Sequence, residues 1–218
     1  MTSAATIKTL LRGRTLSFYR EPQGPEDHAA YSYIDDGALL IQDGIIRAHG
    51  EYSDIVAISG DADVIDHRPY LLMPGFIDTH LHFPQVQVIA SWGEQLLDWL
   101  NTYTFPSEVR FVDPDHAAAM ATAFFDLLTA HGTTTAVAFC SVHPQSAEAY
   151  FSEALRRNMR MIGGKVMMDR NAPDDLRDTA QQGYDETKAL IGAFHGRGRL
   201  SYAISPRFAI TSSPAQLE

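Results

Sequence analysis

Two histidines separated by one residue, His80 and His82, lie near the end of the apolar segment MPGFIDTHLHFPQ at residues 73–85. Side chains alternate between the two faces of a β-strand, so a strand here would carry Phe76, Asp78 and both imidazoles on one face. That face changes from apolar to polar where the strand ends. Neutral imidazole is a good ligand for zinc or iron, and two ligands leave positions for other groups and water. The spacing predicts a metal site.

Further polar side chains follow the other predicted strands, at the point where each strand ends. They are His143, Asp169, Arg170 and Arg207. In a barrel of alternating strands and helices, catalytic groups lie at the carboxyl ends of the strands. We therefore expect these side chains to lie on the same face of the fold as the histidine pair.

Other polar and reactive residues have simpler interpretations. We expect His143 to cap the next helix rather than to bind a metal. Lys165 could be a carbamylated metal bridge in principle, but a strand lysine with a satisfied charge is the expected state. Asp169 and Arg170 are expected to pair or to face solvent. Cys140 ends a buried strand and is expected to be a small packing residue rather than a nucleophile.

Predicted strands alternate with predicted helices from residue 72 onward. Asp113 followed by Pro114 predicts a helix start, and His131–Gly132 predicts its end. The predicted strands are 72–82, 133–140, 159–168 and 200–205, and the predicted helices are 113–131, 146–158 and 187–195. This alternation predicts an α/β fold with a parallel sheet covered by helices.

Two closures of such a sheet are common, an open doubly wound sheet and a (β/α)8 barrel. Neither a Gly-x-Gly-x-x-Gly motif nor a phosphate-binding loop follows the first strand, which disfavours the open sheet. A complete barrel needs about 250 residues. Residues 72–218 are therefore predicted to form the first half of a metal-dependent (β/α)8 TIM-like barrel, with about four βα units. The chain is expected to be truncated in the loop after the fourth strand.

Residues 1–71 are predicted to form a small β-sandwich-like domain. Residues 7–19 alternate loosely and predict a strand. Asp43–Gly44, flanked by apolar residues within 38–48, predicts a two-residue hairpin turn. The segment 21–27, which contains two prolines and a glycine, predicts a loop.

Composition limits the classes of function. The 218 residues carry a net charge of −10, which argues against a surface that holds nucleic-acid phosphates. The single cysteine, Cys140, excludes an intrachain disulfide and the Cys-x-x-Cys zinc site of cytidine deaminases. Neither a secretory signal nor an apolar run of the roughly 18 residues that span a membrane is visible. We expect a cytoplasmic protein that binds neither membranes nor nucleic acids.

The segment PGFIDTHLH at 74–82 resembles the first barrel strand of the amidohydrolase superfamily. Within that superfamily, other segments are similar to the guanine deaminase family. They are HFPQ at 82–85, LLDWLNTYTFPSE at 96–108, GTTT at 132–135 with GKVMMD at 164–169, and SPRF at 205–208. The strand motif occurs throughout the superfamily, whereas the segments around Trp99 and Arg207 are more selective. The resemblance spans about residues 36–210.

The resemblance implies zinc-dependent hydrolysis of guanine to xanthine and ammonia, with iron as an alternative metal. His80 and His82 would be two of the metal ligands. The remaining ligands and the glutamate that moves protons are expected beyond Glu218, so no catalytic acid or base is expected within this chain. The expected ligand is a small purine, and the expected assembly is a homo-oligomer such as a dimer.

The resemblance also implies a set of substrate-binding residues beside the metal. They are His82, Phe83, Pro84, Gln85, Trp99, Arg207 and Phe208. Arg207 presents a rigid fork of donors that suits guanine O6 and N7, although it could instead form a structural ion pair. The Gln85 amide offers both a donor and an acceptor to a ring edge. Trp99 and Phe208 could stack on the purine or pack in the core.

Two other hypotheses remain open. Another amidohydrolase, such as a chlorohydrolase or a deaminase of a different heterocycle, would share His80 and His82 but not the segments 99–106 and 206–208. A non-catalytic barrel fragment would lack an assembled metal site. Substrate profiling distinguishes the first, and zinc content after dialysis distinguishes the second.

Overall fold

The computed structural model describes residues 7–93 and 95–218. The chain divides into two compact units, with the boundary between Pro74 and Gly75. The boundary predicted from the sequence, after residue 71, lies within a few residues of this point. No helix in the described part of the chain combines the length and the apolar character that a membrane span requires.

The first unit is a four-stranded sheet with one short helix. Its elements are β1 (Lys8–Phe18), β2 (Tyr31–Gln42), β3 (Ile45–Glu51), α1 (Tyr52–Ser59) and β4 (Asp63–Leu72). The strand order is β3-β2-β1-β4, in which β1 runs antiparallel to β2 and parallel to β4. Among residues 7–74, the four strands form this single sheet, and no second sheet faces it.

The hairpin predicted at Asp43–Gly44 is confirmed. It joins β2 to β3, and both residues have positive φ angles, 51° and 77°, as a type I′ turn requires. The strand predicted at 7–19 is β1. Leu10, Ala38, Leu40 and Ile55 form the core of this unit.

The second unit, Gly75–Glu218, alternates strands with helices. Its strands are β5 (Phe76–His82), β6 (Thr133–Phe139), β7 (Arg160–Gly164), β8 (Val166–Met167), β9 (Ser201–Tyr202) and β10 (Ser205–Pro206). Its helices are α2 (Leu96–Trp99), α3 (Phe105–Val109), α4 (Pro114–Ala130), α5 (Pro144–Arg156), α6 (Ala180–Phe194) and α7 (Pro214–Leu217). A π-helical turn, Leu100–Thr104, joins α2 to α3.

The parallel strands of this unit follow one another in chain order. One sheet has the order β5-β6-β7-β9, and β8 pairs with β10 in the same parallel sense. Lys165 separates β7 from β8, and residues 203–204 separate β9 from β10. A doubly wound sheet reverses its strand order at a switch point, whereas a barrel does not. The predicted α/β fold with a parallel sheet is confirmed, and its order is consistent with half of a barrel.

Two predicted elements begin at different residues. The strand predicted at 72–82 is interrupted at residues 73–75, and β5 begins at Phe76. The helix predicted to start at residue 187 starts at Ala180, where the Thr179 hydroxyl accepts a hydrogen bond from the Gln182 backbone nitrogen at 3.1 Å. Gly183 lies in the first turn of this helix, where a Cβ atom would lie 3.0 Å from the Asp178 carboxylate.

The core of the second unit lies between the sheet and helices α4, α5 and α6. α4 begins as predicted, with the Asp113 carboxylate accepting a hydrogen bond of 2.9 Å from the Asp115 backbone nitrogen. One helical face is buried, and its residues recur at helical spacing: Ala117, Ala121, Phe124, Phe125 and Leu128. This packing fixes the sheet whose strand ends carry the polar residues.

Candidate metal and substrate site

The two histidines at the end of β5 lie side by side, with ring centroids 5.2 Å apart. Both rings also contact Phe139, at the end of the neighbouring strand β6, at centroid distances of 5.9 and 5.2 Å. The pairing of β5 with β6 is irregular between Asp78 and Leu81. The His80 backbone nitrogen donates to the Asp78 carboxylate at 3.0 Å. The irregularity does not separate the imidazoles, which share one side of the strand.

The environment of His82 keeps its imidazole neutral. Burial, followed by the positive charges of Arg207 and His80, lowers the pKa of His82 to about 4. A neutral imidazole is the form that binds metal ions.

The histidine pair fits two ligands of a metal ion. Catalytic zinc sites use three protein ligands with an open position, or a similar set. Within residues 7–93 and 95–218, no group of three or more His, Cys, Asp or Glu side chains is arranged to hold a metal ion. His80 and His82 therefore supply a part of such a site, as expected for ligands from one strand.

Arg207 follows β10 and forms a buried ion pair with Glu108 in α3. The Arg207 Nη1 atom donates to Oε2 of Glu108, and Nη2 donates to Oε1 at 3.0 Å. The Phe105 ring centroid lies 5.7 Å from the guanidinium carbon. The structural ion pair considered for Arg207 is thus present. A guanidinium group has donors beyond those that one carboxylate uses, so the substrate-binding role of Arg207 stays a prediction.

Glu108 was not identified from the sequence. Its only signal is a carboxylate at the end of the apolar segment 96–106, where charged residues are otherwise sparse. The side chain is 1% exposed, and a buried charge of this kind requires a partner. The partner, Arg207, lies 99 residues away in the sequence. No local pattern reveals a pair at that separation.

A groove of about 410 Å³ lies between β5 and α4. His80, His82, Gln85 and Trp99 line it together with apolar side chains that include Val86, Ile89, Phe124 and Leu127. The Trp99 ring is fixed by a hydrogen bond of 3.0 Å from Nε1 to the Ser91 carbonyl oxygen. The structure thus brings four of the predicted site residues to one groove, which Arg207 and Phe208 do not line.

Phe83 and Pro84 require a correction, because both are buried. Phe83 is fully enclosed in the core, with its ring centroid 5.1 Å from Phe111 and 5.4 Å from Phe124. Its side chain has no surface left for a ligand, so it packs rather than binds. The Pro84 carbonyl oxygen accepts a hydrogen bond of 3.1 Å from the Ser107 hydroxyl group. Phe208, by contrast, is 44% exposed and can offer a ring face.

Asp169 and Arg170 do not pair with each other; Asp169 is partly buried, and Arg170 is exposed. The Asp169 carboxylate accepts a hydrogen bond of 2.7 Å from the Ser213 backbone nitrogen. Arg170 Nη2 donates to the Ala209 carbonyl oxygen at 2.7 Å. These two residues hold the segment 207–213, which carries Arg207. The expectation of a solvent-facing side chain is confirmed for Arg170, whereas for Asp169 it was wrong, because its partner is Ser213 in a distant loop.

The charge of Lys165 is satisfied, as predicted, although the residue is buried between β7 and β8 and does not lie within a strand. Its Nζ atom lies 2.8 Å from the Asp178 carboxylate and 2.9 Å from that of Glu186. Cys140 is also buried, and burial raises the pKa of its thiol, which suits packing rather than nucleophilic attack.

His143 occupies the N-cap position of α5, but its side chain makes no capping hydrogen bond. Its Nε2 atom is buried without a hydrogen-bond partner among the described residues. Burial lowers the pKa of His143, with a further contribution from the positive charge of Lys165. The position predicted for His143 is therefore confirmed, and the capping role of its side chain is wrong.

Comparisons with known proteins identify the family. The model of the amidohydrolase family matches residues 71–218. The chain belongs to the amidohydrolase family, and membership in this family implies a metal cofactor. The resemblance inferred from the first-strand motif is confirmed.

Several similar proteins are guanine deaminases. The chain is 48% identical to guanine deaminase of Escherichia coli K12, over all of the chain and 50% of that protein. The crystal structure of guanine deaminase from Bradyrhizobium japonicum aligns with a TM-score of 0.93 at 39% identity, over 97% of the chain and 46% of that structure.

A third similar protein is guanine deaminase from C. acetobutylicum, whose structure has guanine bound in the active site. It aligns with a TM-score of 0.83 at 25% identity, over 96% of the chain and 48% of that structure. The chain spans about half the length of the curated relatives that it matches.

Proposed function

We propose that this chain provides the first-strand metal ligands and part of the purine site of a zinc-dependent guanine deaminase, which hydrolyses guanine to xanthine and ammonia. The observation that carries the proposal is the pairing of the His80 and His82 imidazoles at the end of β5, in a groove that Gln85 and Trp99 also line. The similarity to guanine deaminases, one of them with bound guanine, supports the choice of substrate.

The neutral imidazoles of His80 and His82 would hold the metal, with zinc preferred and iron an alternative. Bound zinc lowers the pKa of water to about 7 and so supplies hydroxide for displacement of an amino group. The further ligands and the glutamate that transfers protons are expected from a region that corresponds to the second half of the relatives.

The residues of this chain would bind and orient the purine. Arg207 would donate to O6 and N7 of guanine, and the Gln85 amide would bind an edge that has both a donor and an acceptor. Trp99, whose ring is fixed in the groove, and Phe208, which is partly exposed, would cover the faces of the ring.

The same proposal includes the assembly. We expect a cytoplasmic homodimer. We also expect strands from the region that corresponds to the second half of the relatives to close the barrel and to make the first unit sandwich-like. The support is the open edge of the parallel sheet at β5 within the described residues, because unpaired sheet edges are normally covered or paired.

The test is ammonia release from guanine by the full-length gene product, with and without a metal chelator. We expect release that chelation abolishes, and Arg207→Ala should raise the guanine KM. A folded, zinc-loaded protein that deaminates a different heterocycle but not guanine would favour another amidohydrolase. A folded protein that retains no metal after dialysis would favour a non-catalytic role.

A further inference from the structure

Glu108 is a buried carboxylate that the proposed chemistry does not use. It lies in the short helix α3 and is 1% exposed, and Arg207 is 7% exposed. Both charges are removed from water, where each would otherwise be strongly stabilised. The pair therefore needs good geometry, and it has two parallel hydrogen bonds, from Nη1 to Oε2 and from Nη2 to Oε1.

The geometry of the pair determines which donors of Arg207 remain for a ligand. Glu108 engages the end of the guanidinium group, between Nη1 and Nη2. The side of the group, formed by the Nε hydrogen and the outer Nη2 hydrogen, has no side-chain acceptor among the described residues. These two N–H bonds are parallel and form a second fork, which suits two adjacent acceptors such as purine O6 and N7. The Phe105 ring restricts the plane of the group from one face.

α3 is anchored to two further strand ends. The hydroxyl group of Ser107 donates to the Pro84 carbonyl oxygen at 3.1 Å, just before Gln85. The hydroxyl group of Ser141, just after β6, donates to the Glu108 carbonyl oxygen at 3.1 Å. Both hydrogen bonds are buried. The helix therefore connects the ends of β5, β6 and β10 through adjacent residues.

We propose that Glu108 is a positioning residue for purine recognition, which orients Arg207 so that its Nε–Nη2 fork faces the bound purine. An unpaired arginine side chain has many rotamers and would have to be ordered by the substrate itself. Because Glu108 holds the Arg207 side chain in the folded protein, that side chain is ordered during folding and not during substrate binding. This inference rests on the proposed function, because it names a residue that acts through Arg207 on the same substrate.

The test uses Glu108→Gln in the full-length, zinc-loaded protein, with guanine as substrate. The amide removes the charge but keeps the size of the side chain. We expect KM for guanine to rise about 10- to 100-fold, with kcat within about 3-fold of wild type and zinc content unchanged. Loss of ground-state orientation weakens binding of the substrate and the transition state alike, so KM changes more than kcat.

A double-mutant cycle shows whether Glu108 affects the guanine KM by positioning Arg207 or independently of it. If Glu108 acts through Arg207, Glu108→Gln should add less than about 2-fold to KM in an Arg207→Ala background. The matched control is Glu153→Gln, which removes a carboxylate paired with Arg156 and Arg157 in α5 and should leave KM unchanged.

The outcomes separate this inference from the proposed function. A wild-type protein that releases no ammonia from guanine overturns the proposed function and this inference with it. An active wild type whose Glu108→Gln variant keeps its KM, or whose cycle is additive, overturns this inference alone. If Glu108→Gln fails to fold, Glu108→Asp keeps the charge on a shorter side chain, and an unchanged KM in that variant overturns the inference equally.

Discussion

The Asp169 carboxylate accepts hydrogen bonds from both the backbone nitrogen and the hydroxyl group of Ser213, which joins the segment after β8 to the segment after β10. Gln216 makes a similar link, since its amide donates to the Asp178 carboxylate at 2.8 Å. The segment 207–213 is therefore held at its far end as well as at Arg207. A loop fixed at both ends keeps binding residues in place without a helix or strand of its own.

Asp169→Asn should loosen this segment. The amide cannot accept two charge-assisted hydrogen bonds, each of which contributes about 1.5–3 kcal/mol. Hydrogen exchange of residues 207–213 should become about 10-fold faster or more, as measured by mass spectrometry. Asp174→Asn is the matched control, because Asp174 is exposed and pairs only with Arg177 among the described residues. Equal exchange rates in wild type and Asp169→Asn would contradict the role given to Asp169.

His82→Ala should remove metal from the full-length protein, because one of the two first-strand ligands is lost. We expect zinc content to fall to a small fraction of wild type and ammonia release to fall more than about 100-fold. His131→Ala is the control, since His131 lines the same groove but is exposed and lies beyond the end of α4. Zinc retained at the wild-type level in His82→Ala would remove His82 from the ligand set.

Lys165→Met should destabilise the second unit strongly. The substitution leaves the Asp178 and Glu186 carboxylates near one another without their shared cation, which costs roughly 3–5 kcal/mol for a buried pair. Denaturant unfolding measures the loss. Lys188→Met makes the same change at an exposed position of α6 and should cost less than about 0.5 kcal/mol. Similar costs for the two variants would refute the structural role of Lys165.

The stability of α5 should depend on pH through Glu153. Hydrogen bonds from Arg156 and then Arg157 lower the pKa of Glu153 to about 2, from 4.5. Because the folded state has the lower pKa, the ionised carboxylate stabilises the fold above pH 4.5, and this contribution is lost as the pH falls towards 2.

Glu153→Gln should therefore reduce the free energy of unfolding by roughly 1–2 kcal/mol at pH 7, with allowance for the exposure of Arg156. The difference from wild type should shrink as urea unfolding is repeated at lower pH. Glu148→Gln, at an exposed position of the same helix, should have little effect at any pH. A Glu153→Gln deficit that stays constant down to pH 3 would contradict this assignment.

Local patterns predicted much of the fold. The Asp43–Gly44 hairpin, the Asp113 cap of α4 and the alternation of strands with helices depend on neighbouring residues, so their signals are complete within a short segment. The start of α6 was missed, and Gly183 in its first turn packs closely against the Asp178 carboxylate, a tertiary contact that leaves no helical signal. The burial of Phe83 was missed for a similar reason, because HFPQ places it directly beside a histidine of the site.

The sequence by itself determined the family, the order of the elements and the histidine pair proposed to bind metal, because two imidazoles on one strand face follow from the period of a strand. Only the tertiary structure decided which distant groups meet those strand ends. Glu108 and Arg207, and likewise Asp169 and Ser213, are far apart in the chain and become neighbours when the parallel strands align. The three-dimensional arrangement then determines which groups form hydrogen bonds with the buried charges and carbonyl oxygens, and residue spacing in the sequence does not reveal these partners.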